Sequence, residues 1–244
     1  MINSEALAAL VEAYKPSEQA QQVLESTPTV LIVGVSGAGK GTIRDALVST
    51  GDYYNIPTHV TRSPRYNNGK FEEEGVEHHF ISAEQAEEML KSKAFIEADF
   101  HFGHVYATSI QEFEKARDLH KVALTDIDIN GVESFRRLSD SVMPVFLVPP
   151  SYDVWISRLK NRFTDGWYKH ADDIKTRVKR ASYEIDRVLE NDFYHLVIND
   201  KLDDTIAAVE AIVSGYRQSP EEIDHARAIM ESIKRESQAG TLDD

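Results

Sequence analysis

Residues 29–42 have the sequence Thr29-Val30-Leu31-Ile32-Val33-Gly34-Val35-Ser36-Gly37-Ala38-Gly39-Lys40-Gly41-Thr42. The first five are apolar or β-branched and stop at a glycine, which is the pattern of a buried strand that enters a tight turn. The following residues have the glycine spacing and the lysine of a P-loop, and they predict a helix that begins near Lys40. A strand, a glycine-rich turn and a helix in this order predict a nucleotide-binding α/β fold.

The glycines of this loop account for the expected phosphate binding. Gly34, Gly37 and Gly39 let backbone N–H groups turn towards phosphate oxygens, where a helix N-terminus adds partial positive charge. Lys40 is expected to neutralise the β and γ phosphates, and Thr42 to replace the Mg²⁺-binding hydroxyl that Gly41 removes. The predicted nucleotide-binding set in the loop is Gly34, Ser36, Gly37, Ala38, Gly39, Lys40, Gly41 and Thr42.

Short apolar runs alternate with helical patterns along the rest of the chain. Further strands are predicted at 56–61, 95–100, 122–125, 142–148 and 196–198. Several of them are separated by helical segments long enough for crossover connections, which predicts a mostly parallel sheet flanked by helices. Helix starts are indicated at Ser82, with Gln85 completing a capping box, at Ser151, and at Ser219 before Pro220. Near the N-terminus, an amphipathic helix is expected to break near Pro16.

Composition excludes several classes of protein. The 244 residues include 27 Lys and Arg against 41 Asp and Glu, a net charge of −14 that disfavours nucleic acid and anionic membranes as partners. The absence of cysteine excludes disulfides, thiolate metal sites and cysteine nucleophiles. No apolar run is long enough to span a bilayer and no signal peptide is recognisable, so a cytoplasmic location is expected.

Five further motifs follow the P-loop: Thr58-His59-Val60-Thr61-Arg62-Ser63-Pro64-Arg65, Phe95-Ile96-Glu97, Tyr106-Ala107-Thr108, Asp126-Ile127-Asp128 and Val197-Ile198-Asn199-Asp200. In their content and order, they make the chain from Thr29 to about Tyr216 resemble the guanylate kinase family. The resemblance implies a P-loop NTPase-type α/β fold with a small monophosphate-binding region at 57–109 and a lid at 160–178. Residues 1–28 and 217–244 are then helical extensions of a domain at 29–216.

The resemblance implies how an acceptor nucleotide would be bound. Arg62 and Arg65 would hold its phosphate, because planar guanidinium groups offer paired donors that match phosphate oxygens. Glu97 would accept hydrogen bonds from N1–H and N2–H₂ of guanine, adjacent donors that adenine lacks. The complete set implied for the acceptor is Thr58, Arg62, Arg65, Glu97, Tyr106, Thr108 and Asp128, with Tyr106 at the phosphate and both threonines near the purine.

The resemblance also implies a donor site and a reaction. Asp126 would bind Mg²⁺ through water, and Asn199 would lie beside the adenine of ATP. Arg162 and Arg177 resemble the lid arginines that stabilise charge shared between the two nucleotides' phosphates, and with Lys40 they form the predicted catalytic set. Phosphoryl transfer requires alignment and charge neutralisation rather than a nucleophilic side chain. The implied reaction is the ATP- and Mg²⁺-dependent phosphorylation of GMP or dGMP, giving GDP and ADP.

Two departures and two alternatives stay open. His78 stands where the family has a tyrosine, and three consecutive glutamates, 72–74, leave the family's acidic residue in the longer loop ambiguous. A sugar phosphate kinase of the ribose 1,5-bisphosphate type would keep the P-loop without base recognition, against which Glu97 and Thr108 argue. A non-catalytic guanylate-kinase-like module would bind protein ligands, against which the intact loop glycines and Lys40 argue. A monomer and a homodimer are both compatible with the sequence.

Overall fold

A computed structural model of the chain describes residues 2–67, 70–163 and 166–239. The fold is α/β, with a mostly parallel central sheet flanked by helices, which confirms the predicted fold class. The chain divides into two compact units, the first formed by Met1–Thr29, Thr50–Thr125 and Asn130–Val142, the second by Val30–Ser49, Asp126–Ile129 and Met143–Asp244. None of the helices in the described ranges has the length and apolarity needed to cross a bilayer.

Elements are numbered in chain order. The helices are α1 Ser4–Glu12, α2 Glu18–Ser26, α3 Lys40–Ser49, α4 Ala83–Lys91, α5 Ile110–Asp118, α6 Ile129–Leu138, α7 Tyr152–Lys160, α8 Ala171–Leu189, α9 Leu202–Val213 and α10 Pro220–Ala239, with a 3-10 turn at Trp167–His170. The strands are β1 Thr29–Val33, β2 Tyr53–Asn55, β3 Thr58–Val60, β4 Tyr66–Asn67, β5 Lys70–Phe71, β6 His78–Phe80, β7 Phe95–His101, β8 His104–Ser109, β9 Val122–Asp126, β10 Met143–Val148 and β11 His195–Ile198.

The second unit is built on parallel strands in the order β11-β10-β1. All five residues of β1 are buried, as expected for an apolar strand covered on both faces. The P-loop connects β1 directly to α3, and helices α7 to α10 complete the unit, with α10 packed against α7, α8 and β11. The P-loop therefore lies at the carboxyl end of a buried parallel strand, where α/β folds bind ligands.

The first unit contains a parallel β2–β9 pair and a four-stranded sheet in the order β6-β3-β8-β7. In that sheet, β6 is parallel to β3, whereas β8 is antiparallel to both of its neighbours. Helix α1 packs against β7, β8 and α4. The buried residues of this layer are Leu7, Val11, Ala86, Leu90, Phe95, Val105 and Ala107.

Most local predictions are confirmed. The Ser82 hydroxyl accepts from the Gln85 N–H at 3.1 Å, and the Gln85 side chain accepts from the Ser82 N–H at 2.8 Å, as a capping box requires. The N-terminal helix breaks at Pro16, between α1 and α2. The division of the chain at residues 28 and 216 stays a prediction. Residues 164 and 165 of the predicted lid, and 240–244 of the C-terminal extension, lie outside the described residues.

Candidate functional site

At Gly39 the P-loop has a backbone conformation and a close contact that only glycine allows. Gly39 has a φ of +94°, in the left-handed region, and a Cβ built there would lie 2.5 Å from Nδ2 of Asn199. A side chain would therefore be strained by the backbone and would collide with Asn199. The loop then enters α3 at Lys40, as the sequence predicts.

Lys40 lies against the loop that precedes it. Its Nζ donates to the carbonyl of Gly34 at 2.6 Å and to that of Val35 at 3.4 Å. Burial lowers the pKa of the Lys40 ammonium group and two nearby arginines act in the same direction, whereas the carboxylates of Asp126 and Glu184 oppose the shift. The loop thus carries a cation held by backbone oxygens, a suitable partner for phosphate.

Two of the predicted lid arginines meet at the P-loop hydroxyl. Nη1 of Arg177 donates to Oγ of Ser36 at 2.7 Å, and Nη1 of Arg162 reaches the same oxygen at 3.3 Å. Burial and the neighbouring charge of Arg177 lower the pKa of Arg162. Asp173 pairs with Arg177 at 2.9 Å, but the shared hydroxyl is neutral. Two guanidinium groups at one neutral acceptor make this place attractive to an anion.

Two side chains hold the P-loop from outside. Asn199 is 7% exposed, and its Nδ2 donates to the carbonyl of Ala38 at 2.7 Å while its Oδ1 accepts from Thr205 at 3.1 Å. Nε1 of the fully buried Trp155 donates to the carbonyl of Ser36 at 2.7 Å. Asn199 thus fixes the loop, and its predicted contact with adenine stays a prediction. Sequence analysis missed Trp155, because tryptophan in an amphipathic helix indicates only core packing.

The aspartate that ends β9 and the one two residues later both pair with arginines of the second unit. Oδ1 of Asp126 accepts from Arg44 at 2.7 Å, and Arg44 also pairs with Asp45 at 2.8 Å. Oδ2 of Asp128 lies 3.5 Å from Arg180. Arg44 has no motif signal in the sequence and was not predicted. Asp128 is thus in the second unit, and its predicted contact with guanine stays a prediction.

Four of the seven predicted acceptor residues share one face of the four-stranded sheet in the first unit. Tyr106 lies opposite Val60 and Thr108 opposite Glu97, and side chains of opposed residues point to the same side. Thr58 is two residues from Val60 and therefore joins them. Oγ1 of Thr108, which is 2% exposed, donates to Oε1 of Glu97 at 2.7 Å. We call this side of the sheet, defined by Thr58, Glu97, Tyr106 and Thr108, the ligand face.

Arg62 is held by a carboxylate that sequence analysis left out. Its Nη1 and Nη2 donate to the two carboxylate oxygens of Glu72 at 2.5 and 3.0 Å, and the Arg65 N–H donates to the same carboxylate at 2.9 Å. Arg62 is 8% exposed, whereas Arg65 is exposed. Of the three consecutive glutamates, Glu72 is thus the one that pairs with Arg62. It orients Arg62 and brings the backbone of Arg65 beside it.

Burial alone would raise the pKa of Glu72, but its hydrogen bonds from Arg62 and from the Arg65 backbone lower it to about 2. A lowered pKa means that the ionised carboxylate stabilises the fold above about pH 4.5 and that this contribution is lost as the pH falls towards 2. We expect Glu72→Gln to lower the free energy of unfolding by about 2–3 kcal/mol at pH 7. The variant should also lose less of that free energy than the wild type does as the pH falls. Urea denaturation between pH 7 and pH 2 measures both effects.

The exposed Glu73 provides the matched control for this variant. Its side chain is 62% exposed. Within the described residues its one ion pair is with the surface residue Lys70, at 3.7 Å. Glu73→Gln should therefore change stability by less than about 0.5 kcal/mol. Equal losses of unfolding free energy in the two variants would contradict the assigned role of Glu72. So would a Glu72→Gln variant whose stability falls at low pH as steeply as that of the wild type.

The P-loop residues and the ligand-face residues both lie in a part of the chain that matches a known protein family. The family model for guanylate kinase matches residues 26–216. The chain belongs to the guanylate kinase family. Guanylate kinase of Chlorobaculum tepidum is 30% identical over 203 residues, covering 82% of this chain and 99% of that protein. That of Schizosaccharomyces pombe is 31% identical over 186 residues, covering 75% and 88% respectively.

A solved structure supports the fold of this guanylate kinase family member. The crystal structure of guanylate kinase from Anaplasma phagocytophilum matches with a TM-score of 0.57 at 20% identity, covering 80% of this chain and 88% of that one. All predicted site residues lie inside the range of the family match. Helices α1 and α10 lie wholly outside it, as does α2 except for its last residue.

His78, the departure from the family's tyrosine, lies at the ligand face. It is opposed to Thr58 across the β3–β6 pair, and its Nε2 is 3.9 Å from Oε1 of Glu72. The ring also packs edge-on against Phe80 at 5.9 Å between centroids. The substitution therefore places an imidazole beside the carboxylate that orients Arg62.

Proposed function

We propose that this chain transfers the γ-phosphoryl group of ATP to GMP or dGMP, giving ADP and GDP or dGDP. The observation that carries the proposal is the convergence of Arg162 and Arg177 on the P-loop hydroxyl of Ser36, next to Lys40. Phosphoryl transfer depends on positioning and on stabilising charge at the phosphate oxygens, and these three cations serve that need. Family membership supports the choice of reaction.

Guanine is the base that the ligand face suits. Oε1 of Glu97 is already an acceptor for Thr108, so the carboxylate is held in place and can accept from the adjacent N1–H and N2–H₂ of guanine. The monophosphate would meet Arg62, which Glu72 orients, and the exposed Arg65. Hydrogen bonds with Glu72 and Tyr106 keep Arg62 charged, since they raise its pKa against the opposing effect of burial.

Magnesium fits the oxygen donors of the second unit. Mg²⁺ keeps several waters and needs only one or two protein oxygens besides substrate phosphates. Asp126, at the end of β9, and Thr42, in the first turn of α3, are ligands of that type. Among the described residues no group of three or more His, Cys, Asp or Glu side chains could hold a metal ion. When bound, Mg²⁺ would neutralise charge on the β and γ phosphates.

The substrate is tested by measuring ADP formation with ATP and Mg²⁺ against GMP, dGMP, AMP, UMP, CMP and ribose 1,5-bisphosphate. We expect turnover to be restricted to the guanine nucleotides. Turnover of the sugar phosphate would instead assign a sugar phosphate kinase. Nucleotide binding without turnover of any acceptor would assign a non-catalytic module. The cytoplasmic location and the choice between monomer and homodimer stay predictions.

Arg177 should contribute mainly to kcat. We expect Arg177→Ala to lower kcat by about 10²-fold, because its guanidinium would stabilise charge that develops on the transferred phosphate. The control is Arg235→Ala, an exposed arginine on α10 that pairs with Glu231 at 4.0 Å. Steady-state kinetics with saturating GMP measure the difference. Equal losses of kcat in the two variants would contradict the assigned role of Arg177.

A further inference from the structure

A β-bulge determines where Glu97 points. Side chains of a regular strand alternate, so Phe95 and Glu97, two residues apart, would point to the same side. The pairing of β7 with β8 shifts between them: Phe95 is opposed to Ser109, but Glu97 is opposed to Thr108. The extra residue in β7 lets Phe95 enter the buried layer while Glu97 turns to the ligand face. The orientation of Glu97 therefore depends on this bulge.

One hydroxyl group from the N-terminal segment holds the first residue of the bulge. The Tyr14 hydroxyl donates to the carbonyl of Phe95 at 2.7 Å and accepts from the Phe95 N–H at 3.0 Å. Its ring also packs edge-on against the Phe95 ring, with 6.3 Å between centroids. Because β7 is the edge strand of the sheet, these backbone groups have no further strand to pair with. Tyr14 thus takes the place of a neighbouring strand where the register shifts.

Helix α1 is packed against the sheet and holds Tyr14 in position. Leu7 and Val11 of α1 are buried in the same layer as Phe95, Val105 and Ala107. The Tyr14 N–H donates to the carbonyl of Val11 at 3.0 Å, so the tyrosine continues directly from the helix end. Tyr14 lies outside residues 26–216, the range that matches the family. The support for β7 therefore comes from outside the part of the chain that matches the family model.

We propose that Tyr14 is a positioning residue for base recognition: its hydroxyl holds the Phe95 bulge and thereby aims the Glu97 carboxylate at guanine. This inference rests on the proposed function, in which Glu97 binds the base. Burial raises the pKa of Tyr14 and the charge of Glu97 adds a smaller rise, against the opposing effect of the hydrogen bond to the Phe95 carbonyl. The N-terminal segment is then part of the specificity apparatus as well as a cover for the sheet.

Tyr14→Phe tests the proposal because it removes the hydroxyl and keeps the ring. The matched control is Tyr54→Phe, which removes a hydroxyl that donates to Glu112 at 2.7 Å from β2, a strand outside the four-stranded sheet. We expect Tyr14→Phe to raise KM for GMP about fivefold and to leave KM for ATP within about twofold. Preference for GMP over IMP, which lacks the N2 amine, should fall by about the same factor. Tyr54→Phe should change neither value.

Hydrogen exchange makes the test independent of the substrate. Peptides covering 95–101 should exchange faster in Tyr14→Phe than in the wild type, with no such change in Tyr54→Phe. Faster exchange together with a lower GMP preference supports the proposal. Reduced thermal stability with unchanged exchange in β7, KM and GMP preference would overturn it. If the wild type fails to phosphorylate GMP, the proposed function is wrong. If hydrogen exchange in residues 95–101 is unchanged in Tyr14→Phe, Tyr14 does not hold the bulge.

Discussion

Lys40→Ala is expected to reduce kcat with ATP and GMP by about 10³-fold while the chain remains folded. Its Nζ is held by the Gly34 and Val35 carbonyls at the start of the P-loop, where the phosphates of ATP would bind. Alanine removes the cation that offsets charge on those phosphates and leaves nothing of similar reach. Initial rates of ADP formation measure the loss, and Lys175→Ala, an exposed lysine on α8, provides the control.

The same lysine predicts a pH dependence. Burial lowers its pKa below the ordinary lysine value of 10.5, although Asp126 and Glu184 limit the shift. Because the charged form binds phosphate, activity should decline on the alkaline side at a pH below that value. The decline should be absent from the residual activity of Lys40→Ala. A variant with kcat within about tenfold of the wild type would contradict the role of Lys40 and, with it, the proposed donor site.

The sequence was most informative where a local physical rule determines the structure. The P-loop glycines, the Ser82 capping box and the break at Pro16 each depend on neighbours within a few residues, and all were predicted. The ordering of the motifs was enough to indicate the family. Strand β8, by contrast, contains polar residues and was not predicted as a strand; its pairing with β3 and β7 identifies it.

Parts of the site that depend on distant contacts could not be predicted. Glu72 is ten residues from Arg62, and only the fold of the intervening loop selects it over Glu73 and Glu74. Asn199 and Trp155 reach the P-loop from more than 100 residues away, so no local pattern indicates that they fix it. The bulge at Phe95 is equally invisible, since it is defined by the register of β8.

Glu97→Gln is expected to lower kcat/KM for GMP by about 10²-fold. Thr108 donates to Oε1 of residue 97, so the amide oxygen of glutamine would keep that bond and its NH₂ group would face the base. Guanine presents the donors N1–H and N2–H₂ there, and the glutamine NH₂ group cannot accept hydrogen bonds from them. AMP presents an acceptor at N1, so turnover of AMP should rise relative to that of GMP. The control is Glu84→Gln, the same change at an exposed glutamate in the first turn of α4.

A double-mutant cycle separates recognition by Glu97 from its support by Thr108. In Thr108→Val the carboxylate loses its donor, so kcat/KM for GMP should fall about tenfold, and in the double variant the losses should not add. Coupling of about 1 kcal/mol or more would mean that the two residues act as one base-binding unit, as their 2.7 Å hydrogen bond requires. Additive losses, with AMP turnover unchanged in Glu97→Gln, would remove guanine recognition from the ligand face and favour an acceptor without a base.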